Sequence, residues 1–489
     1  MLKFLFIIII FIEIYLVNCY IVLPITILPE QYYLSKNETN NYSKQMSREF
    51  FTPLITNFEI GTPKQSISLL IKPKKNYLIL NSLNTLASPK INYTVKNIYD
   101  FKNFSKFYNE KNSTTYNLSS TLKCTTLTAS NNITKPIAEQ ICPSIETLYF
   151  CEDLNDTKKT SIKNNIDFYL TRNTLDNITG IIGLNLNLPD ENKQTPKSFL
   201  SILNESKIIN NYNWYFDFDN WDNKSGNLII GALPHEIKNN SFNKKNWNLY
   251  LKKNENISMN YYEMKFDQIY FIDKTNNNEY NFSADKAIEF NFESNLIVGT
   301  NEFKNYFESI LIDLKNQNVT CNLSNFFGYE DELSSKSYLY EFYYCEAKNN
   351  TMEKLKKKIS SLYLYFAEMN YTFEITKDEI LKTVDDTIYI NIIVNANITK
   401  WILGKQFIFN NKLVFDSLDG TIGFYKKEKK KNKNNDKIYK LLIIIPLIIY
   451  LCAGPIIIVA KLLRKNDKDK KEEKNTDDEE NNLKQNIIN

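Results

Sequence analysis

The sequence predicts an all-β protein with a few short helices, set between two hydrophobic ends. Three observations lead there. Short runs of Ile, Leu, Tyr and Phe recur with Asn, Asp and Gly between them, as in Gly226-Asn227-Leu228-Ile229-Ile230-Gly231; this is the pattern of strands separated by turns. Only 197–209, 303–315 and 352–361 carry helical periodicity. Twenty residues without a charge, Leu441 to Ala460, form a run long enough to cross a bilayer as one helix.

The ends set the compartment. Residues 1–19 read as a secretory signal: Lys3 supplies the positive start, Phe4 to Phe11 and Ile14 to Val17 the apolar core, and Val17-Asn18-Cys19 the cleavage site. Ile21-Val22-Leu23-Pro24-Ile25 follows as a candidate first strand. Near the other end, Pro446, Gly454 and Pro455 are tolerated within a membrane helix at 441–460. Lysines crowd both flanks of that run, so orientation rests on the signal. It places the ectodomain in the lumen or outside the cell, on a secretory-pathway or cell-surface membrane, with the tail in the cytosol. A Lys/Asn-rich stalk covers 429–440. The charged tail 461–489 has few apolar residues and reads as disordered.

Composition narrows the classes further. The chain has 489 residues, with 60 Lys and Arg against 56 Asp and Glu. A net charge of +4 on such a length makes no case for nucleic acid. Nineteen Asn-x-Ser/Thr triplets precede residue 400, among them Asn92, Asn103, Asn132, Asn177, Asn223, Asn281, Asn318, Asn370 and Asn397; all are glycosylation candidates in a secretory protein. Apart from Cys19 and Cys452, five cysteines remain. An oxidising compartment would pair Cys321 with Cys345 and two of Cys124, Cys142 and Cys151. His235 is the one histidine, and no Cys/His spacing suits a metal, so neither metal nor cofactor is expected.

The stretch Phe58 to Leu80 organises the ectodomain. Gly61-Thr62-Pro63 breaks one apolar run, Ile67, Leu69 and Ile71 alternate through the next, and Lys72-Pro73-Lys74-Lys75 breaks that one before Tyr77-Leu78-Ile79-Leu80. Further along come Phe107 to Tyr116, Thr179-Gly180-Ile181-Ile182-Gly183-Leu184, Trp214-Tyr215-Phe216 and the loop region Ala284 to Thr300. The last is Trp401-Ile402-Leu403-Gly404 with Phe407, Val414-Phe415-Asp416 and Gly420-Thr421-Ile422-Gly423-Phe424. In this order and spacing the segments resemble the pepsin family of aspartic proteases, from about Phe51 to Tyr425. The resemblance implies a bilobal fold, with an N-terminal lobe over 20–245, a C-terminal lobe over 246–428 and a cleft between them.

That family hydrolyses peptides with two carboxylates sharing one proton, one acting as base and the other as acid toward water. The resemblance carries the first of these positions onto Lys72. The second falls on Phe290, aligning Ala287-Ile288, or on Asn291, counting back from Gly299. An ammonium and a phenyl or amide cannot share a proton and deprotonate water. The threonine after the first aspartate is Pro73, which has neither hydroxyl nor N–H, and the second loop offers Asn291 or Phe292. The loop glycine is Lys74, and no Tyr-Gly flap is recognisable between Tyr116 and Phe168.

The packing motifs are kept and the chemistry is lost. The expected function is therefore a non-catalytic pseudoprotease: a glycosylated single-pass type I membrane protein that binds a protein, peptide or glycan in reception or adhesion. One alternative is an active membrane-anchored endopeptidase using Glu289, Glu293 or Asp285 with Asp153. A glycosylated coat without a specific ligand is another. In the cleft, Lys72 is expected to reach Glu293 first and Glu289 second, with Lys74 and Lys75 turned to solvent.

Overall fold

In the computed structural model the described residues are 20–27, 41–50, 52–81, 108–118, 125–128, 138–151, 160–171, 180–186, 197–218, 225–237, 242–250, 262–273, 278–282, 285–329, 337–348 and 350–426. The segments expected as signal, stalk, membrane run and tail lie outside them, as do Cys124, Asp153, Asn92, Asn103, Asn132, Asn177 and Asn223. Among the described residues no helix is long and apolar enough to cross a membrane.

The alternating runs fold as strands. Leu54–Ile60 and Gln65–Lys72 pair antiparallel around the turn at Gly61, and Leu78–Asn81 resumes after the break at Pro73. Ile67, Leu69 and Ile71 enter one apolar cluster, while Leu70 and Ile55 enter another on the opposite face. Burial on both faces explains why this run is so apolar. Each such side chain contributes roughly 1.5–3 kcal/mol when fully removed from water. Gly61 has φ +83°, and a Cβ there would meet Ser113 Oγ at 3.0 Å, so the turn takes glycine.

Among the described residues the strands build sheets of 14, 9 and 4 strands. Six neighbours in the largest come from both parts of the chain, in the order Trp247–Tyr250, Thr421–Tyr425, Val414–Asp416, Asn213–Asp217, Ser225–Ile230 and Ile21–Ile27. Trp214 is fully buried at this junction. It stacks on Phe415 at 4.6 Å, meets Tyr262 and Phe292 edge-on or tilted, and donates its indole N–H to Ser417 Oγ at 2.9 Å. The indole satisfies its one donor while burying a large apolar surface.

One arrangement occurs twice. Gln65–Lys72 runs parallel to Gly180–Gly183, and the chain returns in Leu78–Asn81, which pairs antiparallel with the same strand and parallel to Thr160–Thr171. Asp285–Phe290 likewise runs parallel to Lys400–Leu403. It returns in Ile297–Gly299, antiparallel to that strand and parallel to Ile392–Val394. Each copy thus has a strand gripped between the two arms of a loop: Gly180–Gly183 between the arms of 72–78, and Lys400–Leu403 between those of 290–297.

Three helices fall close to their expected places: Phe199–Glu205, Asn301–Lys315 and Thr351–Lys358. The first starts after Ser198, which caps it with its hydroxyl accepting from the N–H of Ser201 at 3.2 Å, and it stops before Lys207, whose φ of +56° leaves the helical region. Asn41–Phe50 is a helix that the sequence reading overlooked, though Tyr42, Met46 and Phe50 recur at four-residue spacing along one face. The expected bridge Cys321–Cys345 is present, joining facing positions of the hairpin Cys321–Tyr329 and Ser337–Glu346, with Cα atoms 4.0 Å apart. Cys142 and Cys151 lie on the long strand Ala138–Cys151. Between Tyr116 and Phe168, where no flap motif was recognised, this strand pairs with Thr160–Thr171 in an extended hairpin.

Candidate functional site

The two doubled loops meet, and their charges meet with them. Lys72 ends its strand opposite Gly183, whereas Phe290 ends its own opposite Leu403. The position facing Gly404 is therefore Asn291, whose N–H donates to Leu403 O at 2.8 Å. Asn291 is by register the counterpart of Lys72. Phe290 is instead a fully buried core ring, stacked with Phe407 and edge-on to Phe415. Both glycines sit hard under their loops: a Cβ on Gly183 would lie 2.4 Å from Lys75 O, and one on Gly404 2.5 Å from Ser294 O.

Lys72 is buried, with 5% of its side chain exposed, and its amine lies 2.9 Å from Glu293 Oε1. This is the partner expected first from the sequence. Glu293 is shaped locally by Asn291, whose Oδ1 accepts from the N–H of Glu293 at 2.8 Å, a turn in which an amide side chain replaces a backbone acceptor. Pro73 is held from the other part of the chain: the hydroxyl of Tyr262 donates to its carbonyl at 2.6 Å.

A second chain of charges runs alongside. Glu263 and Glu289 face each other on adjacent strands, a juxtaposition that repels unless a cation intervenes. Lys400 intervenes, 2.6 Å from Glu263 and 2.8 Å from Glu289. Lys74 also pairs with Glu289, although its side chain is half exposed. The expectation that Lys74 points only to solvent is thereby corrected, because Glu289 draws its amine back across the loop. Burial pushes the Glu289 carboxyl up, but Lys74 and then Lys400 outweigh it, and the net shift is downward. Lys400 is raised: burial opposes its charge, and the two glutamates overcome that penalty. Of the other acids considered for catalysis, Asp285 begins the strand that ends at Phe290. The two glutamates considered for catalysis are each held by lysine.

Sequence reasoning missed Lys405, which lies beside this cluster. It follows Gly404 at the start of the helix Lys405–Asn410 and is fully buried. Its amine donates to both the carbonyl and the hydroxyl of Thr52. Thr52 in turn donates from its N–H to Glu293 O at 2.7 Å. Burial pushes the Lys405 amine down to about 7. Lys72 acts in the same direction and Glu293 and Glu49 act against it. The signal in the sequence was a single ammonium within the apolar run Trp401 to Phe409. Lys400, Glu263 and Tyr262 carried no such signal, since only pairing between distant strands brings them here.

Of the glycosylation candidates, Asn281, Asn318, Asn370 and Asn397 are described, and all four are exposed. Among the described residues no group of three or more His, Cys, Asp or Glu side chains could hold a metal ion. No protein-family model matches this chain, and no curated protein matches it.

Proposed function

We propose that the chain is a pepsin-like pseudoprotease: a bilobal, non-catalytic ectodomain of a single-pass membrane glycoprotein that binds a protein, peptide or glycan. The observation that carries this reading is the pair of equivalent loop positions occupied by Lys72 and Asn291, with Lys72 committed to an ion pair with Glu293. The doubled loop around a gripped strand, and the six-stranded layer shared by both parts of the chain, support the bilobal part. An ammonium locked to a carboxylate cannot serve as a base toward water, and an amide cannot replace the missing acid. The same pairs also occupy Glu289 and Glu293, two of the four acids on which rearranged catalysis would draw.

The test is proteolysis of a denatured protein by the full-length chain across acid pH, with and without pepstatin. No cleavage is expected, and none from the Lys72→Asp variant, since units of interdependent residues lose nearly all activity when one member is missing. Pepstatin-sensitive cleavage by the unmodified chain would overturn the reading. Capture of a saturable protein, peptide or glycan ligand by the ectodomain surface would separate a receptor from an inert coat.

A further inference from the structure

Residues 41–50 and 52–53 bond to the loop that bears Asn291 and Glu293, and they are tied down at both ends. On the helix Asn41–Phe50, Met46 and Phe50 enter an apolar cluster with Leu296, Val298, Phe326, Tyr340 and Phe342. Ser43 donates to Asn325 O at 2.7 Å, on a strand whose only partner among the described residues is Ser337–Glu346. The helix therefore covers an edge that would otherwise present unpaired backbone groups. At its C-terminal end Glu49 pairs with Lys382, and its carboxylate accepts from Asn295 Nδ2 at 3.0 Å. Thr52 then bonds Glu293 O and receives the Lys405 amine.

The charges around Lys405 balance without it. Lys72 is matched by Glu293 and Lys382 by Glu49. Among the described residues no carboxylate lies within ion-pairing distance of Lys405, and its contacts are the two neutral oxygens of Thr52. A charge there would be fully buried and without a direct partner, with Glu293 and Glu49 favouring it from beyond ion-pairing distance and Lys72 opposing it. An uncharged amine donates to both oxygens and leaves the balance intact.

We propose that 41–50 with 52–53 is a strap latched by the uncharged amine of Lys405, and that charging this amine loosens the strap and uncovers the strand edge at Asn325. Burial pushes the amine down to about 7 in the latched state, with Lys72 adding to it against Glu293 and Glu49. In the released state the amine returns to its ordinary range near 10.4. Between these values the released form binds one proton more. Opening then grows about tenfold for each unit of falling pH from about 10 to about 7, and levels off below.

Hydrogen exchange on the full-length chain from pH 6 to 10, corrected for intrinsic exchange, tests this. The strap amides are expected to open more readily than those of the central sheet, with that slope and plateau. In Lys405→Met the slope should vanish from the strap. A flat wild-type profile would overturn the proposal. So would strap amides that exchange only at the rate of the central sheet, because opening would then be global unfolding. If Lys405→Met does not fold, the wild-type profile still decides.

Discussion

Lys72 shows what a single side chain can do at this junction. Its amine is nearly enclosed while Glu293 keeps about a quarter of its side chain in water. The pair lies between the surface case, worth at most about 1 kcal/mol, and the buried case, where losing one partner costs about 3–5 kcal/mol. Lys72→Met is expected to destabilise by about 2 kcal/mol in denaturant titration, and a double-mutant cycle with Glu293→Gln should recover most of it as coupling. Glu289 adds a pH dependence. Its folded pKa is lowered, so it contributes stability that is present above its unfolded value and lost as pH falls through the folded one. The acid limb of the stability profile below about pH 4.3 should flatten in Glu289→Gln, which thermal melts at pH 3 and pH 6 would show.

The doubled loops place their demands on glycine. Gly183→Ala and Gly404→Ala each drive a methyl into a backbone carbonyl that has no free direction to move. Each should cost about 1–3 kcal/mol or more, as overpacking does, and an unchanged melting temperature for both would count against the loop geometry. The hairpin Cys321–Tyr329 with Ser337–Glu346 depends on its bridge, which spans a sequence separation of 24. Cys321→Ser with Cys345→Ser should lose about 3 kcal/mol on the chain-entropy account. The helix Asn41–Phe50 is a lesson in legibility. Its apolar spacing was visible, but its polar composition hid it, and its stability comes from the sheet beneath rather than from propensity.

For the molecule as a whole, exposure makes the glycosylation expectation specific. Produced in a secretory host, the full-length chain should carry glycans at Asn281, Asn318, Asn370 and Asn397, which mass spectrometry after deglycosylation would map. Asn204, which heads the triplet Asn204-Glu205-Ser206, is expected to stay bare. Its Nδ2 donates to Ile209 O at 3.1 Å and its Oδ1 accepts from Tyr212 at 3.1 Å, which tie down the turn after Phe199–Glu205. A glycan found on Asn204 would contradict that assignment of its amide.

The strand pattern, the break at Lys72-Pro73, the Cys321–Cys345 bridge and the Lys72–Glu293 partnership were all legible in the linear chain. The first two follow from local alternation and turn chemistry, the bridge from an oxidising compartment and the place of its cysteines, and the ion pair from the two loops that the family resemblance sets opposite each other. The choice between Phe290 and Asn291 was not, because a one-residue difference in register is invisible until Leu403 is seen to face Phe290. Nor was the burial of Lys405 or the bridge that Lys400 makes between Glu263 and Glu289. A side chain's charge state and partners depend on what encloses it, and here residues hundreds of positions apart form the enclosure.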